Sequence, residues 1–94
     1  MATVVFGDFE WDSRKASGNQ RKHGVSFEEA STIFADAAYI LRPDTTNPDR
    51  FHGIGISAFA RILTVVHLER GPRIRIISAR KATNHEKEAY SRRR

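Results

Sequence analysis

Apolar residues recur along this chain at two spacings. Phe27, Ala30 and Phe34 fall at i, i+3 and i+7, one stripe of a helix. Ser26 precedes them and Glu29 stands three residues on, the sequence form of a capping box, so that helix opens at Ser26. Upstream, Phe9-Glu10-Trp11 reads as a short strand. Asp12 then caps a helix that runs to His23 and stops at Gly24, a residue suited to the left-handed conformation of a helix end. This first helix is polar on most sides, and Gly18 weakens it by about 1 kcal/mol relative to Ala. Packing through Trp11 and Ala16 must therefore hold it in place.

From residue 38 the period shortens to two. Residues 38–41 form a short strand that stops at Pro43, and Asn47-Pro48 marks a loop. Residues 51–57, 62–69 and 73–79 follow as strands, and Thr83-x-x-Glu86 is a further capping box that starts a last helix. Four successive strands with short connections predict an antiparallel β-meander. The fold class is then α+β, with two N-terminal helices and one C-terminal helix packed on one sheet face. At 94 residues the chain is expected to form a single domain over 1–94. Residues 1–8 are a flexible extension or an added edge strand.

The hairpin between the last two strands decides which side chains share a face, because strand side chains alternate. A two-residue turn would set His67 and Glu69 beside Ile74 and Ile76. A three-residue turn, Arg70-Gly71-Pro72, pairs Glu69 with Arg73 and His67 with Arg75, and leaves Leu68, Val66, Ile74 and Ile76 on a clean apolar face. This second register predicts His67, Glu69, Arg73 and Arg75 together on a solvent-facing patch.

Charge sharpens the picture. The formal net charge is +5, yet residues 70–94 hold nine Lys/Arg against Glu86 and Glu88, a net of +7, so the remainder carries −2. A polyanion or an acidic protein meeting the C-terminal third fits this asymmetry, and a solvated basic tail is the bland alternative. Cysteine is absent, which excludes disulfides and thiolate metal sites. The opening MATVVFGDF has no basic segment and is too short in its apolar stretch for a signal peptide or membrane span, so a cytoplasmic protein is expected.

The predicted patch holds the parts for RNA cleavage without a metal: a base for the ribose 2′-OH, an acid for the leaving oxygen and cations for the phosphorane. His67 or Glu69 could move protons. Arg73 and Arg75 could grip phosphate oxygens through paired hydrogen bonds, and Arg80 and Lys81 could extend the groove. Ordinary cross-strand salt bridges are the competing explanation. Other motifs are weaker. Gly53-Ile54-Gly55 lies inside a strand, where glycines mark a bulge or a close approach rather than a dinucleotide loop. His85-Glu86 has Ala89 where a zinc helix needs its second His, and the four histidines show no ligand spacing, so neither metal nor cofactor is expected. His23 is expected to serve the end of the first helix, and Lys15, Asn19 and Lys22 read as a solvated ridge.

In order and spacing the chain resembles BrnT-type toxins of bacterial type II toxin–antitoxin systems. The marks are Phe9-Glu10-Trp11-Asp12, Asn19 with residues 22–30 (KHGVSFEEA), His67-Leu68-Glu69-Arg70-Gly71, and residues 75–83 (RIISARKAT). The resemblance implies a RelE-like fold and a metal-independent endoribonuclease that inhibits translation and growth. It further implies neutralisation by a BrnA-like ribbon-helix-helix antitoxin, whose complex with the toxin binds operator DNA. Transferred residue by residue, it implies His67, Glu69, Arg75 and Arg80 at the reactive site, with Lys22, Arg73 and Lys81 binding RNA. Arg75 and Arg80 alternate to opposite faces of a regular strand, so both can act only if a bulge or the strand end turns Arg80. A non-catalytic toxin or corepressor of the same fold, acting by binding protein or nucleic acid, is the alternative. Residues 57–61 (SAFAR) lack the Gly expected at a hairpin turn, which leaves Phe59 either exposed as an antitoxin anchor or tucked into the core.

Overall fold

The computed structural model describes residues 2–93. Local signals in the chain place most of its elements. The Asp12 carboxylate accepts from the N–H groups of Arg14 (2.8 Å) and Lys15 (3.3 Å) and opens α1, Ser13–His23, which ends at Gly24 with φ 69°. Ser26 Oγ accepts from Glu29 N (3.0 Å) at the start of α2, Phe27–Ser31, and a 3₁₀ turn, Thr32–Ala35, continues the chain. The strands are β1 Thr3–Phe6, β2 Phe9–Asp12, β3 Ile40–Pro43, β4 Phe51–Ile56, β5 Ile62–Arg70 and β6 Arg73–Lys81. Thr83 and Glu86 form the expected reciprocal box (Glu86 N to Thr83 Oγ1 3.2 Å, Thr83 N to Glu86 Oε1 2.9 Å) at the head of α3, Asn84–Arg93. Among the described residues no helix is long and apolar enough to cross a membrane.

The strands form a mixed sheet in the order β1-β2-β6-β5-β4-β3, which corrects the purely antiparallel meander. Strands β3 to β6 do run as a meander, but β2 docks parallel on β6, with Phe9 beside Ile74 and Glu10 beside Arg75. Hairpin turns are local and leave sequence marks. The docking of β2 is set instead by burial of Trp11 in a core with Val25, Phe27, Ala30, Ile33, Leu63, Val65, Ile76 and Ala79. Within the N-terminal extension Thr3–Phe6 form β1, an edge strand on β2, with Phe6 packed on Trp11 at 5.7 Å between ring centroids. Strand β3 begins at Ile40 rather than at residue 38, because Asp36 closes a turn there that accepts from Ala38 N and Tyr39 N. Pro43 sits at the end of this edge strand, where a missing N–H costs little.

The helices do not share one face, a further correction. α1 and α2 cover the face that carries Trp11, Leu63, Val65 and Ala79. α3 crosses the other face, where Glu86 accepts from Thr64 Oγ1 (2.9 Å) and from Arg80. Asn19 is not part of a solvated ridge. It is buried, and its carboxamide accepts from Ala79 N (3.0 Å) and donates to Ala79 O (2.8 Å) and Val25 O (3.0 Å). β2 pairs only with Ile74 and Arg75 of β6, so the Asn19 side chain replaces the strand that has ended.

Candidate active site on the open sheet face

The hairpin from β5 to β6 turns on two residues, Gly71 (φ 59°) and Pro72, with Arg70 opposite Arg73. The three-residue turn and the patch built on it are therefore overturned. Near the turn Glu69 pairs with Ile74 and His67 with Ile76. Farther along, the register shifts: His67 faces Ile76 while Val66 faces Ser78, so Ile77 is an extra residue, a β-bulge. Beyond it, Val65 pairs with Ala79 and Thr64 with Arg80, but Leu63 meets Lys81. Nearer the turn Leu68 and Val66 lie on the arginine side, so the clean apolar face of Leu68, Val66, Ile74 and Ile76 does not form. What the mid-strand bulge does is shift the parity of β6, so that residues 78 and 80 continue the side of residues 73 and 75.

That bulge settles the orientation of Arg80. Arg73, Arg75, Ser78 and Arg80 lie opposite Arg70, Leu68, Val66 and Thr64, which alternate along β5 and so share a face. Three arginines of β6 thus project from the face that α1 and α2 leave open. Neighbouring strands add Glu10 beside Arg75, His52 opposite Val66 and Arg42 opposite His52. His52 and Ser78 are two strand spacings apart, roughly 10 Å at the backbone.

The ion pairs on this face are specific. Arg75 Nη1 donates to Glu10 Oε2 at 2.6 Å, and Arg70 Nη1 lies 4.0 Å from the same oxygen. Arg80 binds Glu86 with both Nη groups (2.7 and 3.0 Å). Burial opposes the Glu86 charge, but hydrogen bonds from Arg80, Thr83 and Thr64 outweigh it and lower its pKa to about 2. Arg73 Nε is buried without a hydrogen-bond partner. His52 Nε2 stands 3.7 Å from Asp44 Oδ1, in a cleft of about 170 Å³ lined by Arg42, Asp44, His52, Ile54 and Glu86. The Asp44 carboxyl is held below its ordinary range by the Thr46 N–H, with lesser help from Asn47 and His52.

The remaining expected residues lie elsewhere. His67 is 4% exposed on the helix-covered face, edge-on to Phe34 at 4.8 Å and near Phe51 at 6.1 Å. Its Nδ1 lies 3.2 Å from Val65 O, and burial pushes its pKa below the ordinary imidazole value. Gly53 leaves the room this ring needs, since a Cβ there would meet His67 Cε1 at 3.2 Å. The close-approach reading of that glycine holds. Glu69 is exposed near the turn, on the same side of the sheet as His67. Lys22 is exposed on α1, across the sheet from the arginines, and Lys81 is exposed at the end of β6. Sequence reading missed Glu10, Arg42, Asp44 and His52. Alternation between Phe9 and Trp11 does turn Glu10 outward, but no local pattern announces its meeting with Arg75.

A small α+β fold with an arginine-lined sheet face and an adjacent His-Asp pair defines a class of surface whose charge suits phosphate groups. The family comparison gives that class a definite membership. Residues 11–86 match the family of ribonuclease toxins, BrnT, of type II toxin–antitoxin systems, and the chain belongs to that family. The chain is also similar to the 1.1 Å crystal structure of the Brucella abortus ribonuclease toxin BrnT. That match has a TM-score of 0.64 at 26% identity and covers 79% of this chain and 94% of the other. Curated protein sequences gave no match.

Proposed function

We propose that the chain is the toxin of a type II toxin–antitoxin pair and cleaves RNA on the open sheet face without a metal. In this reading the ribose 2′-oxygen attacks the neighbouring phosphorus. A new O2′–P bond forms as the P–O5′ bond breaks, leaving a 2′,3′-cyclic phosphate and a 5′-hydroxyl. His52 takes the 2′-OH proton and, as imidazolium beside Asp44, returns one to the departing 5′-oxygen. Arg75, Arg80 and Arg42 stabilise the charge that grows on the phosphorane, and Arg73, with its unmatched Nε, holds a flanking phosphate. Glu10 and Glu86 fix two of these guanidiniums in place before substrate arrives. Val66 and Leu68, half-buried between the cations and His52, give the groove an apolar floor.

The observation that carries the proposal is the bulge at Ile77, which brings Arg75 and Arg80 to the face that holds His52. His67 and Glu69 fall outside the reacting groups in this reading, His67 being buried on the far face and Glu69 lying on that same side. Lys22 and Lys81 lie off the central groove. Growth arrest through translation follows if messenger RNA is the substrate. A BrnA-like ribbon-helix-helix antitoxin would silence the toxin by covering the arginine face with an acidic segment, and the complex would bind operator DNA through the antitoxin.

Binding without cleavage is the second reading. It is favoured by one feature: Arg75 and Arg80 already hold carboxylates. Incubation of a defined single-stranded RNA with the protein in excess EDTA, beside His52→Ala, separates the two. Cyclic-phosphate ends from the wild type alone are expected, with the same assay on translating ribosomes if free RNA stays whole. Intact RNA in both settings, or full activity in His52→Ala, would sink the mechanism.

A further inference from the structure

A second cleft, of about 360 Å³, opens at the far end of β6 and is lined by Ala60, Arg61, Ile62, Lys81 and Lys87. Its walls carry three cations and no acid. Arg61 is committed to Glu29, to which Nη2 and Nε donate at 2.5 and 2.9 Å. Lys81 and Lys87 are exposed, and neither has a carboxylate within ion-pair distance among the described residues. Next in the chain to the lining residue Ala60 is Phe59, 72% exposed, the most exposed large apolar side chain described.

The turn that carries Phe59 is tightly held. Ser57 Oγ accepts from Phe59 N (3.2 Å) and Arg61 N (3.3 Å) and donates to the buried Glu29 (2.8 Å), while Ala58 N donates to Thr32 Oγ1 (2.8 Å). Ala60 N donates to Ser57 O (2.9 Å), and Ala60 has φ 61°, the only non-glycine residue described in the left-handed region. A floppy loop would let the ring fold back onto apolar surface. This turn spends backbone strain and a buried carboxylate to keep the ring out in water, and strain that persists in a well-bonded turn points to use.

We propose that Phe59, Lys81 and Lys87 form a subsite for unpaired RNA, in which one base stacks on the Phe59 ring and the adjoining phosphates rest on the two lysines. The proposal rests on the reading of the open face as an RNA site. Lys81 follows Arg80 directly in β6 and Lys87 follows Glu86, the Arg80 partner, so the cations run on from the reactive face around the end of the strand. A lone flat ring beside free cations suits single-stranded nucleic acid, where every base offers a π-face and each phosphate a charge. An acidic protein helix would call instead for a row of apolar contacts, and the lining has only Ile62 and Ala60 to add.

The test uses fluorescein-labelled, fully 2′-O-methylated single-stranded oligonucleotides of about 4 and about 12 nucleotides, which cannot be cleaved by 2′-oxygen attack, with anisotropy as the readout. Phe59→Ala should weaken binding of the longer one at least about fivefold, by loss of a stacked base, and leave the shorter one unchanged. Lys81→Gln with Lys87→Gln should reduce the slope of log K against log salt by about 1.4, the single-strand value for two phosphates. Arg42→Ala should weaken both lengths. Loss with Arg42→Ala but unchanged affinity in Phe59→Ala overturns the subsite and leaves the open face standing. No binding by the wild type overturns both. Weakened antitoxin binding by Phe59→Ala with RNA affinity intact gives the surface to a protein and overturns the proposal.

Discussion

The sheet has two faces made from the same strands, and they treat polar side chains in opposite ways. On the helix-covered face Asn19 and His67 are consumed by structure: Asn19 completes the edge of β6, and His67 fills an aromatic box as a ring whose charge is suppressed by burial. On the open face Arg75 and Arg80 are cations held in position by carboxylates yet still reachable, their side chains 17% and 35% exposed. Residue type does not distinguish the two situations, since a histidine occurs on each. What distinguishes them is parity along β4, β5 and β6, and the bulge at Ile77 resets that parity halfway along the last strand.

The comparison breaks most visibly if the faces are swapped in function. His52→Ala should lower the RNA-cleavage rate by about 10²-fold or more, the usual scale for losing a proton-transfer group, while the urea midpoint moves little. His67→Leu should do the reverse, leaving the rate within a few-fold. Opposite results in that pair of rate measurements would return the reaction to the helix-covered side.

Next in size is the anchor of that covered side. Glu29 has a side chain only 4% exposed and is matched by Arg61, which is about a third exposed. Arg61→Ala leaves the buried carboxylate without its cation and with Ser57 as its remaining side-chain donor, and a stability loss of about 3 kcal/mol is expected by urea denaturation. Asn19→Ala strands the Ala79 N–H and C=O and should cost about 2 kcal/mol in the same measurement. A loss below about 0.5 kcal/mol for Asn19→Ala would mean that water replaces the carboxamide at that edge.

How much of this could be read in advance follows the same division. The caps at Asp12, Ser26 and Thr83 and the stop at Gly24 are local, and each forms as its residues dictate. The placement of β2 on β6 is not local, because it depends on where Trp11 finds its core. The hairpin shows both sides of the matter. Alternation asks Leu68 and Val66 to join Ile74 and Ile76, whereas the two-residue turn sets Leu68 opposite Arg75, and the bulge that turns Arg80 to the same side leaves no local mark. His67 made the wrong turn look necessary, since a charged imidazole beside Ile76 would be costly. A neutral one enclosed by Phe34 and Phe51 is not.

That neutrality has a pH signature. The folded-state pKa of His67 lies below its unfolded value near 6.5, so below pH 6.5 the unfolded chain takes up a proton that the folded chain refuses. This contribution is full above pH 6.5 and is lost as pH falls through the folded pKa, at up to about 1.4 kcal/mol per pH unit. His67→Leu should remove that part of the acid sensitivity below pH 6.5. Glu86 adds a separate loss only below pH 4.5, as protons approach its pKa of about 2. An unchanged pH slope in His67→Leu would show that another group sets acid sensitivity in that window.

The smallest expected effect lies where the two faces meet, in the turn between β4 and β5. Ala60 at φ 61° carries about 1–2 kcal/mol of left-handed strain that glycine would not, offset by about 0.5–1 kcal/mol of extra freedom in the unfolded chain. Ala60→Gly should therefore raise stability by about 0.5–1 kcal/mol, a gain of roughly 2–8 °C in Tm for a chain of this size. If the strain serves only the hairpin, that is the whole outcome. If it serves to hold Phe59 outward, the same glycine loosens the turn and weakens the longer oligonucleotide while Tm rises. Stability and binding moving in opposite directions at one exposed alanine would place the turn with the open face, and a gain in both would place it with the covered one.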